Sequence, residues 1–267
     1  MIREMFAAAP LFLLLAARAL ALIETAPLLS SEANPQAARV ALAGFAAYAA
    51  FPASSAINAA GLELFSLSFV FLLVGEAIIG IIMGFFVTIV FSAFSTAGQF
   101  FSLQMGFGAS ETFDPLSQIE NPLMGQYLNL VAMLIFLTLN GFTQLFLGGF
   151  WRSVQSLSVL SLVQGRETVL GMLLAGLSRL FLDAMVISLP ILGTLFLISL
   201  STGLISKAAP QINILTEGFP LSITVAFILI VAVMPFMTEA FGRVVDSGFS
   251  AIQDLYIRIG QAIGGGA

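Results

Sequence analysis

The stretch Gly98 to Tyr127, GQFFSLQMGFGASETFDPLSQIENPLMGQY, contains no Lys or Arg, is acidic, and lies between two long hydrophobic segments. It is rich in Gly, Phe, Met and Pro, which predicts a backbone that is neither regular nor well solvated. At membrane depth such backbone is tolerated only where protein buries it or where it lines a cavity. The stretch therefore predicts a plug-like loop over 98–127, filling a pore or substrate path built by membrane-grade helices.

Composition sets the class. Of 267 residues, 59% are hydrophobic and 9% charged, and the mean hydropathy is +1.07. That balance belongs to membrane proteins, and no linker long or polar enough divides residues 1–267 into separate domains. A net charge of −5 argues against a nucleic-acid surface, which needs clustered Lys and Arg. Cys and His are both absent, so disulfides, thiolate or imidazole metal ligands and the commonest general base are missing, and no metal or cofactor is expected. Lys207 is the only lysine and follows no glycine-rich turn, so a phosphate-cradling loop is absent too. Arg3, the run Phe6–Ala17 and Ala19-Leu20-Ala21 resemble a signal peptide. Glu4 and Arg18 favour a retained first helix instead.

Apolar segments fall at Phe6–Ile23, Val40–Phe51, Leu62–Ser95, Leu128–Phe150, Leu180–Leu200 and Ile223–Phe236. A spanning helix needs about 20 apolar residues, so the second and sixth are short and the third is too long for one crossing. The expectation is an all-α polytopic membrane protein of about six hydrophobic helices. With the amino terminus in the cytoplasm, Arg3, Arg152, Arg166, Arg243 and Arg258 lie inside and Arg39 and Lys207 outside, as the positive-inside rule asks. Over 238–263, Phe241, Val244, Val245, Gly248, Ile252, Leu255 and Ile259 recur at helical spacing with charges elsewhere. That predicts an amphipathic tail, lying on the membrane or docked on a partner.

Within the loop, Met105, Gly106, Phe107 and Gly108 precede Phe113-Asp114-Pro115. Glycines permit close approach, and Met adapts to irregular gaps. These residues suit a movable seal; a packed re-entrant turn is the plainer alternative. A second constellation over 201–222 contains Lys207, Pro210, Gln211 and Asn213 and closes with Gly218-Phe219-Pro220. It predicts a polar hairpin corner punctuated by Pro210 and a Gly218-Phe219-Pro220 turn, either an ordinary corner or a subunit interface. Arg18, Glu76 and Asp183 lie inside apolar segments and Arg179 at the edge of one; all four are read as buried charges, which is costly and invites a functional reading. Structural pairing, Arg179 with Asp183 and Glu76 with Arg18 or a neighbouring subunit, competes with a proton relay through Glu76. Gly80 and Gly84 form a Gly-x-x-x-Gly step, whose commonest meaning is close helix packing within one chain.

Over most of its length the chain resembles the FliR family, export-gate membrane proteins of flagellar type III secretion with counterparts in injectisomes. The resemblance rests on Gly98-Gln99, Gln104-Met105-Gly106-Phe107, Asp114-Pro115, Asn140-Gly141 and Gly203 through Pro220, above all Ser206-Lys207-Ala208-Ala209-Pro210-Gln211-Ile212-Asn213-Ile214. Phe142 departs from the His expected after Asn-Gly. The resemblance implies a pore-forming subunit assembled with FliP-like and FliQ-like subunits, with an FlhB-like subunit docked on them, passing unfolded export substrates. It implies a multi-pass protein of the bacterial inner membrane at the flagellar basal body, with the closing plug mapping near Gly106–Asn121. On this reading the chain is not an enzyme. The rival is a small secondary transporter coupling through Glu76 and Asp183, for which no inverted repeat is visible. An intramembrane peptidase fares worse without His.

Overall fold

The computed structural model describes residues 2–31, 33–56, 66–106, 123–208 and 214–264. Among them the fold is all helix: α1 (Ile2–Thr25), α2 (Gln36–Ala50) with a 3-10 turn (Phe51–Ala56), α3 (Leu67–Met105), α4 (Leu123–Thr138), α5 (Gly141–Ser156), α6 (Val159–Gln164), α7 (Arg166–Ala208) and α8 (Ile214–Gly264). Three helices are long and apolar enough to cross a membrane, or four if α4 and α5 count as one bent span. Among the described residues the expected count of about six hydrophobic helices is not confirmed. The apolar runs are helical, but α2, with 15 residues, is shorter than a span requires.

Two compact units are present. One comprises Met1–Ile89, Asn140–Leu177 and Asp246–Ala267, the other Val90–Leu139 and Ser178–Val245. In the first, α1 buries Leu14, Leu15, Leu22 and Ile23, and α2 packs on α1 through Ala43, Ala47 and Ala50. The loop joining α1 and α2 is clasped by Arg39, which donates to Glu24 at 2.7 Å and to the Ser30 and Ser31 carbonyls at 3.0 and 2.7 Å. The tightest crossing is α1 on α3. A Cβ at Gly80 would collide with the Arg18 carbonyl oxygen, and one at Gly84 with the Thr25 side chain. One turn on, Thr88 donates to the Thr25 carbonyl at 2.9 Å. The Gly-x-x-x-Gly step thus serves packing inside the chain, as small residues do between membrane helices.

The second unit is organised by aromatics. Phe91 stacks on Phe136 at 5.3 Å between centroids, and Phe94 meets Phe241 edge-on at 4.5 Å, an arrangement that ring quadrupoles favour. From α7 it buries Ala184, Ile187, Ile191 and Leu195, and from α8 Ala226, Ile230, Met237 and Phe241. Both stripes follow the helical period.

Three sequence expectations are corrected. Gly98 to Met105 and Leu123 to Tyr127 are helical rather than loop, because Ala97, Phe101 and Met105 continue one buried face of α3. Residues 238–263 form no separate tail. They continue α8, with Phe241, Val245, Phe249, Ile252, Leu255 and Tyr256 buried within the chain. Gly218-Phe219-Pro220 is no turn but lies inside α8. Pro220 is compatible with a membrane helix, where Ser and Thr side chains take up backbone groups; Thr224 donates to its carbonyl at 2.8 Å.

The α1–α3 crossing yields a test. Gly80→Ala should lower stability by about 1–3 kcal/mol, since its Cβ meets backbone that cannot swing aside. Gly171→Ala, with open space around it, should be neutral or gain up to ~1 kcal/mol of helix propensity. Thermal unfolding of both variants in detergent distinguishes them; equal melting temperatures would mean that α1 does not approach α3 so closely.

Candidate functional site

Arg18 reaches α3 only because the glycines draw α1 close. Glu76 lies one turn before Gly80 on the same face, directly opposite. The Arg18 Nε donates to Glu76 Oε2 at 2.5 Å, Nη1 donates to Ser153 Oγ at 3.2 Å, and Nη2 donates to the Leu157 carbonyl at 3.0 Å. Ser153 in turn donates to the Phe150 carbonyl at 2.7 Å. Both charged side chains are inaccessible, at 0% and 1% exposure. A guanidinium and a carboxylate so enclosed persist only when their donors and acceptors are matched, and here one charge faces one charge with the remaining donors on neutral acceptors.

The acceptors on α5 come from an unusual helix. Asn140 takes a left-handed conformation (φ 54°), which Asn tolerates better than most residues, and separates α4 from α5. Beyond the bend, Gln144–Trp151 is π-helical. A side chain also bonds to this stretch: the Tyr256 hydroxyl donates to the Gly149 carbonyl at 2.9 Å, with Met83 Sδ at 3.2 Å, and that carbonyl also accepts the Arg152 N–H. Beside it, a cavity of about 480 Å³ is lined by Gln144, Asp246, Ser250 and Gln253 among others.

Around the predicted plug, Met105 is fully buried in the last turn of α3. Gly106 ends that helix with φ 91°, the left-handed cap that glycine supplies without strain. Gly98 lies against the Met124 carbonyl and the Gly125 Cα, so the elements on either side of residues 107–122 touch. Phe107, Gly108, Phe113, Asp114 and Pro115 lie outside the described residues, as do Pro210, Gln211 and Asn213. Lys207 is exposed near the end of α7, Gly218 is half-buried and Pro220 exposed in α8, and Phe219 is described only through its backbone.

The four intramembrane ionisable residues do not form one class. Arg18 and Glu76 are buried, whereas Arg179 is 64% exposed and only 3.9 Å from Asp183. The expectation that all four are buried fails for Arg179, which stands on the flank of the buried stripe of α7, and Asp183 is only partly buried. Among the described residues no group of three acidic side chains is placed to hold a metal ion. Sequence reading missed the Ser153, Leu157 and Tyr256 contacts; Ser153 and Tyr256 fall outside the apolar segments, where no pattern marked them.

A helical membrane protein braced by one enclosed ion pair, with a break between two touching helices, is the class these features define. The chain belongs to family 1 of the bacterial export proteins, whose model matches residues 9–248; this is the FliR family of flagellar and type III secretion export proteins. It is 32% identical to the flagellar biosynthetic protein FliR of Escherichia coli K12 over 89% of each chain. It is 29% identical to the Bacillus subtilis FliR over 94% of this chain and 96% of that one. It is 24% identical to the surface presentation of antigens protein SpaR of Shigella flexneri over 61% of each.

Removing one partner of the buried pair should cost more than removing both. Glu76→Ala alone should destabilise by about 3–5 kcal/mol because it strands the guanidinium. Arg18→Met combined with Glu76→Leu should recover more than half of that. A double-mutant cycle read by denaturation in detergent checks it, and additive losses would deny the coupling.

Proposed function

We propose that this chain is a structural, pore-forming subunit of the flagellar type III export gate in the bacterial inner membrane, helping to conduct unfolded substrates. The observation that carries this reading is the uncovered apolar surface of its longest helices. α7 has 43 residues and α8 has 51, well beyond the ~20 that one crossing uses. Only 28% and 17% of their most apolar windows are buried within the chain. Surface of that extent needs lipid or neighbouring helices. Neighbours fit the FliP-like and FliQ-like subunits implied by the family, with an FlhB-like subunit docking on the assembly.

The basic residues orient the helices. Arg166 begins α7 and Lys207 stands next to its end, while Arg243 and Arg258 lie in the second half of α8. Arg166, Arg243 and Arg258 on the cytoplasmic side agree with the positive-inside rule. The plug reading, mapped near Gly106–Asn121, is supported by its base: α3 and α4 touch at Gly98, and α3 ends at the Gly106 cap. The hairpin corner, with Lys207, Pro210, Gln211 and Asn213, would face a neighbouring subunit. As a subunit of this kind the chain does no chemistry of its own.

The decisive experiment is coexpression with the neighbouring flagellar membrane proteins, gentle solubilisation and native mass analysis. A stable heteromeric complex is expected; a self-sufficient monomer that transports a small solute would overturn the assignment. Deleting Phe107 to Glu111 while keeping the Gly106 cap should raise ion leakage through bacteria that still assemble the complex. Wild-type leakage in an assembled complex would remove the plug from this segment.

A further inference from the structure

Arg179 and Arg243 are the counterexamples to Arg18. Each belongs to a span-length helix, yet they are 64% and 61% exposed. Each has a carboxylate one turn away, Asp183 and Glu239, at 3.9 Å, beyond hydrogen-bonding distance. Exposed pairs of this kind contribute little. Both arginines line a single cleft of about 150 Å³ between α7 and α8, with Asp183, Val186, Ile187 and Val244. It is too small for a drug-sized ligand and suits one compact anionic group.

The level of the cleft identifies that group. Arg179 immediately precedes the apolar run Leu180–Leu200, and Arg243 lies about two turns beyond Ile223–Phe236. The cleft therefore lies at the start of one apolar run and about two turns past the end of the other, where charged residues of both helices gather. Along the adjoining run α7 exposes Phe181, Leu182, Met185 and Leu189, a surface for acyl chains. The Arg243 guanidinium lies 5.9 Å from the Phe236 ring centroid, a cation–π contact that holds it over the apolar edge. Guanidinium groups match phosphate oxygens by paired donors, and basic pockets between membrane helices take anionic headgroups.

We propose that the Arg179–Arg243 cleft binds the phosphate of an anionic phospholipid headgroup. Asp183 sits in the same cleft and competes with the ligand for Arg179, so it tunes the affinity downward.

The test uses the full-length protein in mild detergent, titrated with phosphatidylglycerol, phosphatidylcholine or inorganic phosphate and read by native mass spectrometry. Phosphatidylglycerol should be retained in preference to phosphatidylcholine. R179Q/R243Q should weaken its retention about 25-fold, from roughly five-fold per arginine, with unchanged helical circular dichroism. D183N should strengthen retention, a gain that no misfolded variant would produce. Equal retention of the two lipids, or undiminished phosphatidylglycerol binding by R179Q/R243Q, would overturn the proposal. So would inorganic phosphate binding as tightly as the lipid, since the cleft would then be reading a free anion.

Discussion

Burying one arginine in apolar surroundings constrains everything near it. Arg18 cannot be left unmatched, so α3 must present Glu76, α5 must present Ser153 and the Leu157 carbonyl must turn inward. These contacts require α1 to lie closer to α3 than side chains with a Cβ would allow, which is what Gly80 and Gly84 permit. Polar matching and close packing are one device. The glycines give the approach, and the ion pair fixes which residues meet. In a protein whose apolar faces would pack on lipid or helix with little preference, such a pair is a source of registry.

The matched network also bears on mechanism. Glu76 is inaccessible and paired with Arg18, so structural pairing accounts for its place in an apolar helix without a proton relay. Asp183 is only partly buried and loosely paired. The chemistry-bearing residues thus divide into a structural pair sealed within one unit and a charged cleft open to its surroundings. That division favours a scaffold over a pump.

Much of the architecture was legible in the sequence. Long apolar runs gave helices, and Gly-x-x-x-Gly gave a close crossing. The Arg18–Glu76 pairing was among the partnerships that two opposite charges in apolar segments suggest. Other features misled. Gly98 suggested irregular backbone, but a glycine inside a helix also serves where another backbone must come near, as Met124 and Gly125 do. Pro220 suggested a turn, yet a helix in an apolar environment accommodates it. Arg179 and Arg18 look alike in sequence. Only the three-dimensional choice of face separates a buried pair from an exposed one, and composition does not carry that choice.

The π-helical stretch Gln144–Trp151 has a further consequence. Wider turns let a helix absorb an additional residue, rotating the residues beyond it by about one position, roughly 100°. Ser153 and Val154, both fully buried, owe their inward aim to that phase shift. The stretch Gln144–Trp151 thus precedes, and sets the phase of, the turn from which Ser153 meets the guanidinium of Arg18. A chain wound as an ordinary α-helix here would carry the same residues but point its serine hydroxyl out of mesh.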